Sequence, residues 1–393
     1  MLPSAKKKLS RRGFLEQAVQ KSASATGLLL GGALGGAAST MLTSCSRSME
    51  GGERQVNILN WADYLHPDAI STFEKRYKIQ VVQDTFASNE ALLAKLQAGG
   101  TRYDVIVPSS YMVKQLKKLD IMSPLEHDKI KGLTNLLPRF QSPSYDRGLQ
   151  ISVPYTWGTT GIGFNLDLVE KAMQGSAVAS LDLTRNLAQR LNQGLAWDML
   201  WNDKFKGRLT MLEDSREVIG TALKMQGHSY NTTDEGLIKT ATELLKKQKP
   251  LVMCYTSDQV IVELASGDSL ISQVYSGDCY QARRENKNLR YVIPSDGCSI
   301  WTDNFCIPRS APHKDFAYLW INYMLEPDVA AACANFTHYA TANEKAFEKV
   351  DAELVADPNL YPGAKVLERC EEIADVGNAL FYYDRMWTEL KCS

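Results

Sequence analysis

Catalytic signatures are what this sequence lacks. Its 393 residues hold five histidines, at 66, 127, 228, 313 and 338, and none lies in a nucleophile motif. There is no G-x-S-x-G, no H-E-x-x-H and no G-x-x-x-x-G-K-[ST]. An enzyme would need an activated nucleophile with its base, so an exported hydrolase stays only as a remote alternative. A basic excess is missing as well: 44 Lys and Arg face 45 Asp and Glu, which argues against a nucleic-acid binder. The eight cysteines (45, 254, 279, 298, 306, 333, 370 and 392) include no C-x-x-C pair, so nothing implies zinc or another cofactor. Their pairing is not assignable from sequence.

What is present begins with an export signal. Lys6, Lys7, Lys8, Arg11 and Arg12 form a cationic start, and residues 22–46 follow without charge, rich in Gly, Ala and Leu. So much glycine suits a processed signal better than a permanent span. Ser10-Arg11-Arg12-Gly13-Phe14-Leu15 resembles a twin-arginine signal. Leu42-Thr43-Ser44-Cys45 resembles a bacterial lipobox, which implies that Cys45 becomes the lipidated first residue; the alternative is a plain signal peptide. Residues 1–44 carry six basic residues and one acid, so their removal takes the formal charge from −1 to −6. A mildly acidic exported protein suits a cationic ligand.

The remaining length exceeds one ordinary core and predicts two lobes. Residues 45–54 read as a polar tether. Strands are expected at 56–59, 79–82 and 104–107, with helices at 67–77 and 88–97 between them. That β-α-β-α-β order opens a parallel α/β sheet, whose ligands bind at the carboxyl ends of the strands. A glycine-spaced strand at 159–165 is read as a crossover and residues 174–194 as a surface insertion. Asp214 to Gln226 reads as a helix, 272–275 as a buried strand, 302–308 as the return, 315–325 as a helix and 377–390 as a final aromatic helix. Asp214 and Glu217 have the spacing of a capping box as well as of a paired acidic site.

Several stretches, in order along the chain, carry a specific resemblance. They are Asn60-Trp61-x-x-Tyr64, Ser88-Asn89-Glu90, Tyr103-Asp104-x-x-Val107-Pro108-Ser109-x-Tyr111, Pro154-Tyr155-x-Trp157-Gly158, Asp214-x-Arg216-Glu217-Val218, Trp301-x-Asp303, the Tyr339 region and Asp375-Val376-Gly377. In these the chain resembles the spermidine/putrescine-binding proteins of bacterial ABC uptake systems. The resemblance implies a two-lobed periplasmic-binding-protein type II fold, each lobe a mixed sheet flanked by helices, joined by crossing hinge strands. Lobe 1 would take 55–158 plus 300–347, and lobe 2 would take 159–299 plus 348–393. It implies a monomeric periplasmic protein that gives its ligand to an ABC permease, and the lipobox-like Leu42–Cys45 adds a lipid anchor.

By the same resemblance Trp61, Tyr64, Ser109 and Tyr111 form one wall; Asp214 and Glu217 serve one end of the ligand; Trp301 and Asp303 serve the other; and Tyr339 touches it. Tyr275 falls where family members carry Trp, and Asp278 matches an acid of the putrescine-preferring branch. An amide of the family falls near Ile373 and is absent, with Glu371 or Glu372 as weak substitutes. Some positions have a plainer alternative: Trp61 and Tyr111 as core aromatics, Asp214 with Glu217 as a helix cap, Asp303 as a turn residue. Glu217 is expected to be the stronger contact of its pair, because a capping carboxylate has fewer free lone pairs, and Arg216 to point away. Acids plus rings suit a polyamine; a quaternary ammonium compound is the alternative ligand.

Overall fold

The computed structural model describes residues 54–62, 64–99, 102–174 and 195–393. The export signal, Cys45, the tether to residue 53 and residues 175–194 of the insertion expected at 174–194 lie outside the described residues, while Gln174 ends a helix.

The first sheet opens as the sequence anticipates. Strand β1 (Gln55–Asn60) pairs in parallel with β2 (Gln80–Thr85) and with β3 (Val105–Ile106). Helix α1 (Pro67–Tyr77) joins the first two strands. His66 caps it by accepting from the Asp68 N–H, and Pro67 takes the first turn, where no donor is needed. Helix α2 (Asn89–Gln97) is capped by Ser88, and α3 (Ser110–Lys118) follows β3 directly. β2 runs three residues past its expected end, because its parallel register with β1 continues to Asn60 and Thr85.

Strand β4 (Ser152–Asn165) corrects the sequence reading. It is not a new strand starting at 159: fourteen residues run unbroken, and all are buried. Pro154, which has no N–H, and a register shift between Pro154 and Thr156 disguised its first half. After β4 come α4 (Leu166–Gln174), β5 (Leu209–Met211), α5 (Ser215–Met225), α6 (Glu235–Gln248), β6 (Val252–Tyr255), α7 (Val260–Ser266), β7 (Ile271–Tyr275), α8 (Ser276–Glu285) and β8 (Leu289–Val292). Strand β9 (Ser299–Cys306) then returns antiparallel to β4, followed by α9 (Lys314–Met324), α10 (Pro327–Thr337), β10 (Ala340–Thr341), β11 (Glu371–Glu372) and α11 (Leu380–Cys392).

β4 belongs to two sheets. Its first half pairs with β9, from Ser152↔Cys306 to Thr159↔Ile300. Its second half pairs with β7 and β8, and β5 lies between β7 and β6. Each sheet has its own core. Phe73, Val105, Phe305, Trp320 and Tyr323 pack in one; Phe164, Trp197, Leu209, Val218, Leu245 and Tyr383 pack in the other. α10 serves both, with Val329 and Cys333 in the first core and Ala330, Ala331 and Ala334 in the second. The result is a two-lobed α/β molecule whose lobes are linked through β4 and β9. None of the described helices is long and apolar enough to cross a membrane.

Candidate functional site

The eleven residues singled out from sequence all line one cavity. It measures about 830 Å³, counting the space at its open mouth. Eight of them arrive from the carboxyl ends of parallel strands, where an open α/β sheet exposes its loops. Trp61 and Tyr64 follow β1, and Ser109 follows β3 with Tyr111 in the first turn of α3. Asp214 and Glu217 follow β5, while Tyr275 ends β7 and Asp278 starts α8. Trp301 and Asp303 stand two apart on β9 and so share one face. Tyr339 directly precedes β10.

Asp303 is buried and doubly held. Tyr64 Oη donates to its Oδ2 at 2.5 Å and Ser109 Oγ to its Oδ1 at 2.6 Å. Ser109 stands at the cap position of α3, yet its hydroxyl makes no cap bond. Asn89 fixes it instead: Asn89 Nδ2 donates to Ser109 Oγ at 3.1 Å, and the Ser109 N–H donates to Asn89 Oδ1 at 3.0 Å. Burial pushes the Asp303 carboxyl up to about 6, against the two hydroxyl donors that pull it down.

Asp214 and Glu217 face the cavity from α5. Asp214 is the cap: its Oδ1 accepts from the N–H groups of Arg216 (2.9 Å) and Glu217 (3.0 Å). The capping box is only half made. Glu217 turns to Thr160 Oγ1, which donates at 2.9 Å, and to Ser299 Oγ, at 2.8 and 2.7 Å from its two oxygens. Burial, then the neighbouring Asp214 charge, pushes Glu217 up to about 8; burial, then Glu90, pushes Asp214 up to about 6. Arg216 points away, as expected. Its guanidinium donates to the carbonyls of Ala374 and Tyr230 and to Asn231 Oδ1, and lies 4.6 Å from the Tyr383 ring centroid.

Between these acids runs a ladder of rings. Tyr275 meets Trp301 edge-on at 5.7 Å, Trp301 meets Tyr339 at 5.3 Å, and Tyr339 meets Tyr64 at 5.2 Å. Tyr339 Oη donates to Asp278 Oδ1 at 2.5 Å. The Trp301 indole N–H is buried without a hydrogen-bond partner. Trp61 leans on Phe86 at 4.5 Å and donates its indole N–H to Val107 O at 3.0 Å. Tyr111 Oη donates to Glu90 Oε1 at 2.9 Å. Gly277 lets the ladder come this close: a Cβ there would sit 2.4 Å from the Tyr339 ring. Gly277→Ala is therefore expected to lower unfolding stability by about 1–3 kcal/mol through overpacking, read as an earlier urea midpoint. An unchanged midpoint would refute the tight contact.

Several lining residues escaped the sequence. Ser257, Asp258 and Ile261 come from the loop and helix after β6, another parallel strand end, and the strand itself was not recognised. Phe86 and Asn89 come from around the start of α2, where the sequence offers Ser88 or Asn89 as a cap; Ser88 takes the cap and Asn89 lines the cavity. Ile373 does line the cavity, as an apolar wall. Glu371 and Glu372 do not reach it. Glu371 is held by Lys224 at 2.5 Å and by Ser229, and Glu372 accepts from Ser144 at 3.2 Å. His338 ends α10 outside the lining, and burial lowers its pKa to about 4.

The family model for bacterial extracellular solute-binding proteins matches residues 68–362. The chain is 33% identical over 333 residues to the spermidine/putrescine-binding periplasmic protein of Salmonella typhimurium, across 84% of this chain and 90% of that one. It is 33% identical over 328 residues to the putrescine-binding periplasmic protein PotF of Escherichia coli, across 80% of this chain and 85% of that one. Among solved structures, the spermidine/putrescine ABC transporter substrate-binding protein PotD of Streptococcus pneumoniae superposes with a TM-score of 0.69 at 31% identity. That match spans 86% of this chain and 99% of the other.

Proposed function

The chain belongs to the bacterial extracellular solute-binding proteins, among the spermidine/putrescine-binding periplasmic proteins, and from that premise we propose that it captures a polyamine between its lobes and hands it unchanged to an ABC permease. One observation carries the reading. Five carboxylates (Asp214, Glu217, Asp258, Asp278 and Asp303) line the cavity, and none of the described residues lining it is Lys, Arg or His. A polyamine is an apolar chain with two or more ammonium groups, and each buried charge needs a counter-charge. Acids at separate stations serve the ammonium groups. The rings of Trp61, Tyr275, Trp301, Tyr339 and Tyr64 flank the methylenes and attract the cations, at about 0.5–2 kcal/mol per contact.

In this reading Asp303 takes one ammonium and the α5 pair takes another. Asp214 makes the direct contact, reversing the order expected from sequence. It uses Oδ1 for the cap and keeps Oδ2, whereas both oxygens of Glu217 already accept from Ser299. Asp278 and Tyr339 add a third station. β4, shared between the two sheets, and its antiparallel partner β9 form the hinge; a ligand that bridges Asp303 and Asp214 stabilises the closed form through contacts the open form lacks. The mature protein works outside the cytoplasm as a monomer, tethered through lipid on Cys45.

Titration calorimetry with putrescine, spermidine and spermine tests the proposal. At least one should bind at about 10 μM or tighter, near −7 kcal/mol. Millimolar affinity for all three, or appearance of a reaction product, would sink it.

A further inference from the structure

Of the seven described cysteines, Cys298 and Cys370 are the pair that brings sulfur to sulfur, 3.6 Å apart. We propose that these two form a disulfide in the mature protein, cross-linking the hinge strand β9 to the C-terminal segment that carries one cavity wall. The backbone is already arranged for it. The Glu371 N–H donates to Cys298 O at 2.9 Å, and the next residues pair in parallel as Glu371↔Ser299. Neighbouring strands lie ~4.8 Å apart, within the ~4.4–6.8 Å Cα separation that a disulfide spans. Gly297 permits this approach. Its φ is +88°, and a Cβ there would meet Arg369 O at 2.0 Å, so the chain at 297–298 lies directly against 369–370. Closing the sulfurs from 3.6 Å to a ~2.05 Å bond takes side-chain rotation.

The chemistry is thiol–disulfide exchange, and its oxidant is a disulfide donor of the oxidising compartment outside the cytoplasm. Cys370 is half-buried and Cys298 is fully buried, so Cys370 attacks first. Its thiolate joins one sulfur of the donor and the other leaves as a thiolate. The Cys298 thiol then loses its proton, attacks the Cys370 sulfur of the mixed disulfide and expels the second donor thiolate. Two electrons and two protons pass from the cysteine pair to the donor. The contact with Cys298 lowers the Cys370 thiol to about 7, which favours that order. The cross-link matters to the cavity because Ser299, beside Cys298, holds Glu217, and Ile373, just past β11, lines the wall. It depends on the extracytoplasmic reading only for the source of oxidant.

The test uses the folded protein incubated with oxidised glutathione, then denatured in iodoacetamide without reductant and mapped by mass spectrometry. Peptides containing Cys298 and Cys370 should be recovered joined, with Cys254, Cys279, Cys306, Cys333 and Cys392 alkylated. Alkyl label on both Cys298 and Cys370, or a different pairing of either, overturns the proposal. The oxidised protein should also melt at least about 4 °C above the reduced one, and Cys370→Ser should abolish that difference. A difference that survives in Cys370→Ser also overturns it. Polyamine binding by the reduced protein, measured alongside, tests the functional reading separately.

Discussion

Asp303→Asn should weaken polyamine binding about a hundredfold, roughly 2.7 kcal/mol, while leaving the ligand-free protein as stable or more stable above pH 6. The two halves have one cause. Asp303 is fully buried and sits where its charge is expensive, as its carboxyl at about 6 records. Without ligand, an amide of the same shape removes that burden and still takes a hydrogen bond from Tyr64 or Ser109. With ligand, the amide leaves an ammonium group in a water-poor site without its counter-charge. Truncating one member of a buried charged pair costs about 2–5 kcal/mol. The fold should not be involved, since Asp303 joins the sheet through backbone pairing with Thr156 on β4. Calorimetry for affinity and thermal melts for stability check the two halves separately. Unchanged affinity would remove Asp303 from the site; lost affinity with a collapsed melting temperature would make it structural.

The pattern of what was legible follows from the range of each interaction. The β1-α1-β2-α2-β3 opening is written in local signals: alternation, Pro67 at a helix start, Ser88 as a cap. All of these act within a few residues. Strand β4 was misread because Pro154 and the adjoining bulge interrupt a pattern that its partner β9, far along the chain, restores. Strands β10 and β11 are two residues each and carry no periodicity at all. In the site, the spacing of Asp214 and Glu217 fitted a capping box as well as a paired acidic site. Thr160 and Ser299, from two other strands, decide that only Asp214 caps the helix. The Tyr64–Asp303–Ser109 contact joins positions up to 239 residues apart; the resemblance placed these residues in one site, and their hydrogen bonds emerge only from the fold.

Binding should tighten by at least about tenfold from pH 5.5 to pH 8, with release of about one proton per ligand at pH 7. Burial raises Asp303 and Asp214 to about 6 and Glu217 to about 8, from ordinary values of 3.8 and 4.5. These groups hold protons in the empty cavity at a pH where the unfolded chain has lost them. Their contribution to stability is therefore fully present below about pH 4 and is lost as pH rises through 6 and then 8. A bound dication or trication reverses the preference. Its ammonium groups stay charged to about pH 10 and favour ionised carboxylates, so entry of the ligand drives the protons out. The empty protein should thus lose thermal stability between pH 5 and 8.5, and the ligand-induced rise in melting temperature should grow over the same interval. Calorimetry at pH 7 in buffers of different ionisation enthalpy counts the protons directly. Glu217→Gln should flatten the upper part of the profile, between pH 7 and 8.5, because the group that titrates there is gone. A wild-type affinity independent of pH, with no buffer-dependent heat, would mean that the acids are already ionised in the empty cavity. Burial would then not govern the site.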